Sequence, residues 1–238
     1  MGDRMSEDLK YLINVVKDAA NLITPSFQVK SKGNNGDLVT NFDLEIENFI
    51  IAKLKGKYPN FDIISEEYNS DRKLTDNCFV IDPIDGTINF ANNIPIWAIQ
   101  VAMIRNNEVT ASVIYAPKIN ELYCADSFGA YLNNKKINVN NMDTYNGLYV
   151  VDGTNKFNVQ ENLMKVNPHL RVYYSAAIEY AWVACGKLSG MVFLKDTLWD
   201  YIPGEYIVKQ AGGVIYNDKE LHIATNNKEF LEMIKSSK

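Results

Sequence analysis

The hydrophobic patterning of this chain changes near residue 140, and that change limits the folds open to it. Before it, "FDIIS" (61–65), "CFVID" (78–82), "WAIQVAMI" (97–104) and "VTASVIYA" (109–116) are short runs rich in β-branched and aromatic residues. The last two flank "RNNE", a hairpin signal, and "AYLNNKKINV" (130–139) has the form of a second hairpin. After residue 140, strand-like and helical segments alternate: "GLYVVDG", a helix near 157–165, "RVYYS", a helix over "AAIEYAWVACGKL", "GMVFL", a helix from Trp199, and "GGVIY". Two helices precede the strands. Leu9, Leu12, Ile13, Val16, Ala19, Ala20 and Ile23 recur at helical spacing up to Pro25, and "TNFDLEIENFIIAKL" has Thr40 and Asp43 at its start with Gly56 and Pro59 at its end. Meander first and alternation second predict an α+β half over 1–140 joined to an α/β half over 141–238. With no low-complexity linker or repeat between them, the halves are expected to share an interface.

At 238 residues and 47% hydrophobic, the chain can bury a sizeable core. A net charge of −5 and a pI near 5.2 give no electrostatic footprint for nucleic acid, which needs a basic face to displace counterions. Cys78, Cys124 and Cys185 are widely spaced and odd in number, and they read as small core residues in a reducing compartment. No run has the length of a membrane span and the N-terminus lacks a signal-peptide pattern, so a cytoplasmic protein without membrane contact is expected. "MGDRMS" fits a loose myristoylation pattern, but acids follow it where a polybasic second anchor belongs.

The chemistry concentrates in "FVIDPIDGTINF" (79–90). Asp82 and Asp85 follow an apolar strand-like run, and a carboxylate at a strand end can face a crevice while the strand stays buried. The same residues suit turns, Asp82 before Pro83 and Asp85 before Gly86. Further acids stand at comparable places: Glu66 and Glu67 after "FDIIS", Asp200 at the start of a helix, and Asp43 beside Thr40. Taken singly, Asp200 suits a helix dipole and Asp43 a capping box. Gathered at one crevice, such carboxylates repel one another unless they are protonated or bind a cation. Oxygen donors without paired histidines favour Mg²⁺ or Mn²⁺ over zinc. Gly86 and Thr87, at a helix start, can present N–H groups to a phosphate oxygen. Two metals about 3.5–4 Å apart activate water on one side and stabilise a leaving alkoxide on the other, which points to phosphate ester hydrolysis.

"DPIDGTINF", "SEE" (65–67), "WDYIPGEYIVKQAGG" (199–213) and "GDLVTNFD" (36–43), in that family's order, resemble the inositol monophosphatase family. The resemblance implies a layered αβαβα sandwich, often dimeric, that hydrolyses small phosphate monoesters with two or three Mg²⁺ ions and is often inhibited by Li⁺. It implies that Glu66, Asp82 and the carbonyl of Ile84 hold one metal, and that Asp82, Asp85 and Asp200 hold a second. A third ion would lie near Glu66. Thr87, oriented by Asp43, would help Glu66 activate the attacking water, and the N–H groups of Gly86 and Thr87 would bind phosphate. Lys32 matches a lysine of the family's mobile metal-site loop, and Glu67 accompanies Glu66.

Two departures bear on substrate. Phe193 stands where animal inositol monophosphatases have a glutamate that contacts inositol hydroxyls, and phenylalanine cannot accept such a bond. The family's small G-[ST]-A turn is here Tyr174, Ser175 and Ala176, with a bulky residue in place of glycine on the substrate side. Fructose 1,6-bisphosphate, phosphoadenosine phosphate and NADP are therefore alternative substrates, with Phe193 either stacking on a base or closing the pocket. Ile88-Asn89 stands where the phosphoadenosine branch more often has a lysine-glutamate pair. A non-catalytic regulatory protein on the same fold, contacting RNA polymerase or RNA, is an alternative from another class. His169 and His222 are isolated and read as surface or packing residues, and Trp97, Trp182 and the tyrosines as core and interface.

Overall fold

Helix α1 (Glu7–Ala20) starts where the Ser6 hydroxyl accepts the Leu9 N–H at 3.2 Å, and it buries Leu9, Leu12, Ile13, Val16 and Ala19 along one face. In the computed structural model, residues 5–31, 38–152, 159–167, 169–194, 197–218 and 221–236 are described. A small antiparallel pair, β1 (Val29–Ser31) and β2 (Leu38–Thr40), leads into α2 (Asn41–Lys57). The first large sheet is built from β3 (Asp62–Ser65), β4 (Asn77–Asp85), β5 (Ala98–Arg105), β6 (Glu108–Ala116), β7 (Glu121–Asp126), β8 (Gly129–Leu132) and β9 (Lys135–Ile137), with the short α3 (Thr87–Ala91) between β4 and β5. Its order is sequential, and every pair is antiparallel except β3 and β4. Two of its three tight hairpins turn on Asn106-Asn107 and Asn133-Asn134, all four with positive φ, the backbone that matches strand twist in a two-residue turn; the third, between β7 and β8, turns on Ser127-Phe128.

The second sheet contains β10 (Tyr149–Asp152), β11 (Leu170–Arg171), β12 (Gly190–Phe193), β13 (Val214–Asp218) and β14 (Leu221–Thr225) in the order β11-β10-β12-β14-β13. Strand β10 is parallel to β11 and β12, whereas β14 runs antiparallel to both its neighbours. Helices α4 (Val159–Val166), α5 (Ala176–Ala184), α6 (Leu198–Gln210) and α7 (Lys228–Lys235) complete this part.

Three apolar clusters stack these elements into five layers. Residues of α1 and α2 pack on one face of the seven-stranded sheet. Residues of α5 and α6 fill the space between the two sheets. Residues of α4 and α7 cover the outer face of the second sheet. The result is the expected αβαβα sandwich, with α5 and α6 as its middle layer.

Several local expectations are corrected. Of "RVYYS" only Arg171 pairs as strand, together with the preceding Leu170, because the chain turns at Tyr174, whose φ is +55°, and Ser175 then caps α5. Pro203 lies inside α6, which begins at Leu198 and not at Trp199. Its carbonyl accepts the Ser112 hydroxyl of β6 at 2.8 Å. Strands β7 and β14 and helix α7 are not among the predicted segments, although Asn227 caps α7 and Phe230, Leu231 and Ile234 recur at helical spacing. Cys78 and Cys124 are buried, while Cys185 is partly so, and Trp97 is core. No helix among the described residues is long and apolar enough to cross a membrane.

The middle layer depends on a close helix contact. A Cβ added to Gly204 of α6 would stand 2.4 Å from Cβ and Cγ of Tyr180 on α5. Gly204→Ala should therefore destabilise the fold by roughly 1–3 kcal/mol through overpacking. Thermal unfolding reads this as a drop of about 2–4 °C per kcal/mol in a chain of this size.

Candidate active site

In a regular strand, side chains three residues apart point to opposite faces. Asp82 and Asp85 escape that rule because β4 is irregular between them: Asp82 pairs with Gln100 but Asp85 with Ala98, so three steps on β4 face two on β5. Pro83, which has no N–H for the ladder, sits in this bulge. The Asp82 carboxylate turns back to accept the Ile84 N–H at 3.0 Å. Both carboxylates thereby reach one crevice, where Asp200 from the first turn of α6 joins them. One oxygen of each of Asp82, Asp85 and Asp200 lies within 4.8 Å of the others.

These acids line a cavity of about 360 Å³ whose wall also includes Glu66, the Ile84–Ile88 segment, Leu38, Tyr174, Ala176, Phe193, Thr197 and Trp199. Asp82 is 1% exposed. Burial pushes its carboxyl well above the ordinary range, and the charges of Glu66, Asp85, Asp200 and Asp43 push it further the same way. Asp200 is anchored at the helix start by the Thr197 hydroxyl, which donates to its carboxylate. Asp85 is tied to the middle layer, accepting the Ser175 hydroxyl and, at 3.1 Å, the Ala177 N–H at the start of α5.

The supporting residues complete the picture. Asp43 accepts the Thr40 N–H at 2.7 Å, and its other oxygen lies 3.3 Å from the Thr87 hydroxyl, which is also 2.9 Å from the Ile84 carbonyl. Gly86 precedes α3 with φ +87°, and a side chain there would press on the Ile96 and Tyr174 carbonyls at 3.1 and 3.2 Å. Glu66 reaches the cavity, whereas Glu67 is not among its lining residues; the Glu67 N–H instead donates to Glu47. Phe193 is 1% exposed, packed against the rings of Tyr180 and His222, so it closes the cavity from behind and offers no free face for stacking. Lys32 lies outside the described residues. His169 is exposed, and His222 is fully buried with Nδ1 3.2 Å from Glu205.

Sequence reasoning missed Glu47, Asn89 and Gln100. Glu47, buried on α2, receives the Ser65 hydroxyl and the N–H groups of Glu67 and Tyr68, which fixes the chain on either side of Glu66. Burial raises its pKa, and those three bonds oppose the shift. Its spacing marks only a helix position. Asn89 ties α3 to the Tyr174 turn, its amide donating to the Tyr173 carbonyl at 2.7 Å. Gln100 is fully buried opposite Asp82, and neither end of its amide has a hydrogen-bond partner among the described residues.

The family model described as "Inositol monophosphatase family" matches residues 5–231. The chain belongs to the inositol monophosphatase family. It is 34% identical over 208 residues to the fructose-1,6-bisphosphatase/inositol-1-monophosphatase of Thermotoga maritima, covering 84% of this chain and 79% of that one. It is 31% identical over 225 residues to the Nus factor SuhB of Escherichia coli strain K12, covering 87% and 84%. Among solved structures, a Thermotoga maritima IMPase superposes with a TM-score of 0.88 at 27% identity, covering 98% of this chain and 97% of that one.

The donor set of this family member fits a hard divalent cation. It is made of carboxylate oxygens, one of them almost wholly buried, and the charges of Glu66, Asp85, Asp200 and Asp43 that act on Asp82 are all negative. Without a cation, Asp82 works against folding. Its folded pKa lies above the ordinary 3.8, so its contribution is intact below that value and is lost as pH rises through the folded pKa. In chelator, Asp82→Asn should melt higher than the wild type, and the gap should widen as pH climbs above 3.8. Mg²⁺ should reverse the order, since a ligand at a hundred times its Kd adds about 2.7 kcal/mol to the protein that binds it. Melting curves of both proteins across pH, with and without Mg²⁺, check this.

Proposed function

We propose that this chain is a Mg²⁺-dependent phosphomonoesterase that hydrolyses a small phosphate monoester with water. The observation that carries the reading is the gathering of Asp82, Asp85 and Asp200 beside the Gly86–Thr87 helix start. Asp82, Asp85, Asp200, Glu66 and the Ile84 carbonyl are the groups that would hold Mg²⁺, or Mn²⁺ as a substitute. Bound there, the cation supplies Lewis-acid stabilisation of the oxygens that gain negative charge and eases deprotonation of the attacking water.

The protein's own groups do the rest. The N–H groups of Gly86 and Thr87 receive the phosphate oxygens, and glycine at 86 lets the chain turn there at φ +87° against the Ile96 and Tyr174 carbonyls. The Thr87 hydroxyl donates toward Asp43 and the Ile84 carbonyl, leaving its oxygen to accept a hydrogen bond that orients the water, while Glu66 is the base that takes the water's proton. The water oxygen bonds to phosphorus, the ester P–O bond breaks, and the departing alkoxide takes up a proton from solvent water to leave as the alcohol. Ser175 and Ala177 hold Asp85 in place for this geometry. A homodimer and Li⁺ sensitivity accompany this reading as the family resemblance implies them, and a cytoplasmic location as the sequence patterning leads one to expect.

Phosphate release from inositol 1-phosphate, fructose 1,6-bisphosphate, glycerol 2-phosphate, phosphoadenosine phosphate and NADP, each with Mg²⁺, Mn²⁺ or chelator, tests the reading. Turnover silenced by chelator is expected. Thr87→Ala should lower kcat about 10²- to 10⁴-fold, the usual worth of a positioned proton-transfer group. Asp200→Asn should abolish metal-dependent turnover. The likeness to the Nus factor SuhB favours a second reading, a regulatory binding protein. Absence of turnover on the whole panel would select it.

A further inference from the structure

Among the described residues, every non-glycine residue with positive φ is an asparagine except Tyr174, at φ +55°. Asparagine tolerates the left-handed region, whereas a bulky side chain there is an outlier that persists only where its surroundings enforce it. The surroundings here do so from both sides. Glu179 accepts the Tyr173 N–H at 2.9 Å, and the Asn89 amide donates to the Tyr173 carbonyl at 2.7 Å. On the far side, Ser175 caps α5 and donates to Asp85. Glu179, Asn89 and Ser175 are themselves buried. A turn this firmly held would suit glycine, yet it carries a tyrosine that is 65% exposed on the wall of the acidic cavity. Core packing does not explain that ring.

The wall around it is apolar. Ile88 is 46% exposed, Leu38 and Trp199 are partly exposed, and Phe193 closes the cavity from behind. Apart from the acids and Thr87 and Thr197, the described side chains of this wall offer rings and aliphatic carbon, with the Tyr174 phenol and the Trp199 indole N–H as their polar atoms and no amide or carboxylate for the hydroxyls of a polyol.

We infer that Tyr174 is a specificity-determining residue, its ring a platform for a planar aromatic group on the alcohol half of the phosphate monoester. This rests on the phosphatase reading above. Stacking of a base on an aromatic side chain changes affinity roughly five- to a hundredfold and needs no matching hydrogen bonds.

Adenosine 2′-phosphate, glycerol 2-phosphate and inositol 1-phosphate are all esters of secondary alcohols, so their leaving groups are alike and the planar base is the main variable. With Mg²⁺, kcat/KM for adenosine 2′-phosphate should exceed that for the other two by about tenfold or more, chiefly through KM. Tyr174→Phe should keep that ratio. Tyr174→Gly, and Tyr174→Leu, which keeps apolar bulk without the ring, should each cut it roughly tenfold. Hydrolysis of glycerol 2-phosphate with a ratio that Tyr174→Gly and Tyr174→Leu leave unchanged overturns the platform while the phosphatase reading stands. A wild-type preference for either aliphatic ester overturns it as well. Failure of all three esters to turn over, together with the rest of the phosphate-release panel, defeats the phosphatase reading instead. Calorimetric dissociation constants in Mg²⁺ then decide the platform: a binding preference for adenosine 2′-phosphate that Tyr174→Gly collapses upholds it, and any other result overturns it.

Discussion

The irregularity in β4 between Asp82 and Asp85 is the constraint on which the rest depends. It places two carboxylates on one side of a strand that would otherwise send them to opposite faces, at a point where the strand is buried along nearly its whole length. The consequence is electrostatic. Asp82 sits in low dielectric beside four other acids, a state that opposes folding until a cation answers it. Such a site needs a scaffold stable enough to carry it. Strand β4 has a paired strand on each side, and the sheet it belongs to is covered by helices on both faces. Strain and charge are thus confined to the strand end, where the bulge breaks off regular pairing.

The middle helical layer links that strand end to the second sheet. Asp200 opens α6 and Ser175 opens α5, so both helices present their first turns to the cavity. Their register is fixed lower down, where Gly204 lets α6 approach Tyr180 and where the Ser112 hydroxyl bonds the Pro203 carbonyl. That last bond joins α6 to the seven-stranded sheet, while His222 and Glu205 join it to the five-stranded one. A cavity built from both sheets and from the layer between them holds its shape only if the layer cannot slide. Close-packed interiors of this kind resist sliding because small displacements cost contacts on every side.

What the sequence disclosed, and what it did not, follows the range of the interactions. The strands around Ile64, Val80, Val101 and Val113 and the helices at either end of the middle layer are set by local pattern and were legible. The acids were legible because each stands in a short motif at the end of an element. The bulge was not, since Asp82-Pro83 and Asp85-Gly86 also suit simple turns, and only the pairing with β5 separates the two. Glu47 escaped for a different reason. A glutamate in a helix is ordinary until the fold brings Ser65 and the Glu67 N–H to it from 18 and 20 residues away. Phe193 and His222 were visible as residues but not as neighbours, because their contact depends on the antiparallel register of β12 and β14.

The same geometry explains how this site can keep its chemistry while changing its substrate. Most of the groups proposed to hold metal and phosphate come from the end of β4, the start of α3 and the first turn of α6, each fixed by a backbone or capping bond. The substrate wall is drawn from side chains that take no part in those bonds: Leu38 of β2, Ile88 on the outer side of α3, Tyr174 in the turn before α5, and Phe193 of β12. Replacing a polar group with a ring on that wall alters what the alcohol half meets and leaves the acids undisturbed. The one coupling between the two sets is the Tyr173–Ser175 turn, which carries the exposed ring and also, through Ser175, holds Asp85. On the proposed reading, the backbone that holds the acid site therefore also fixes the direction of the side chain that would meet the substrate, so the strain at Tyr174 is sustained by contacts the proposed phosphate site already requires.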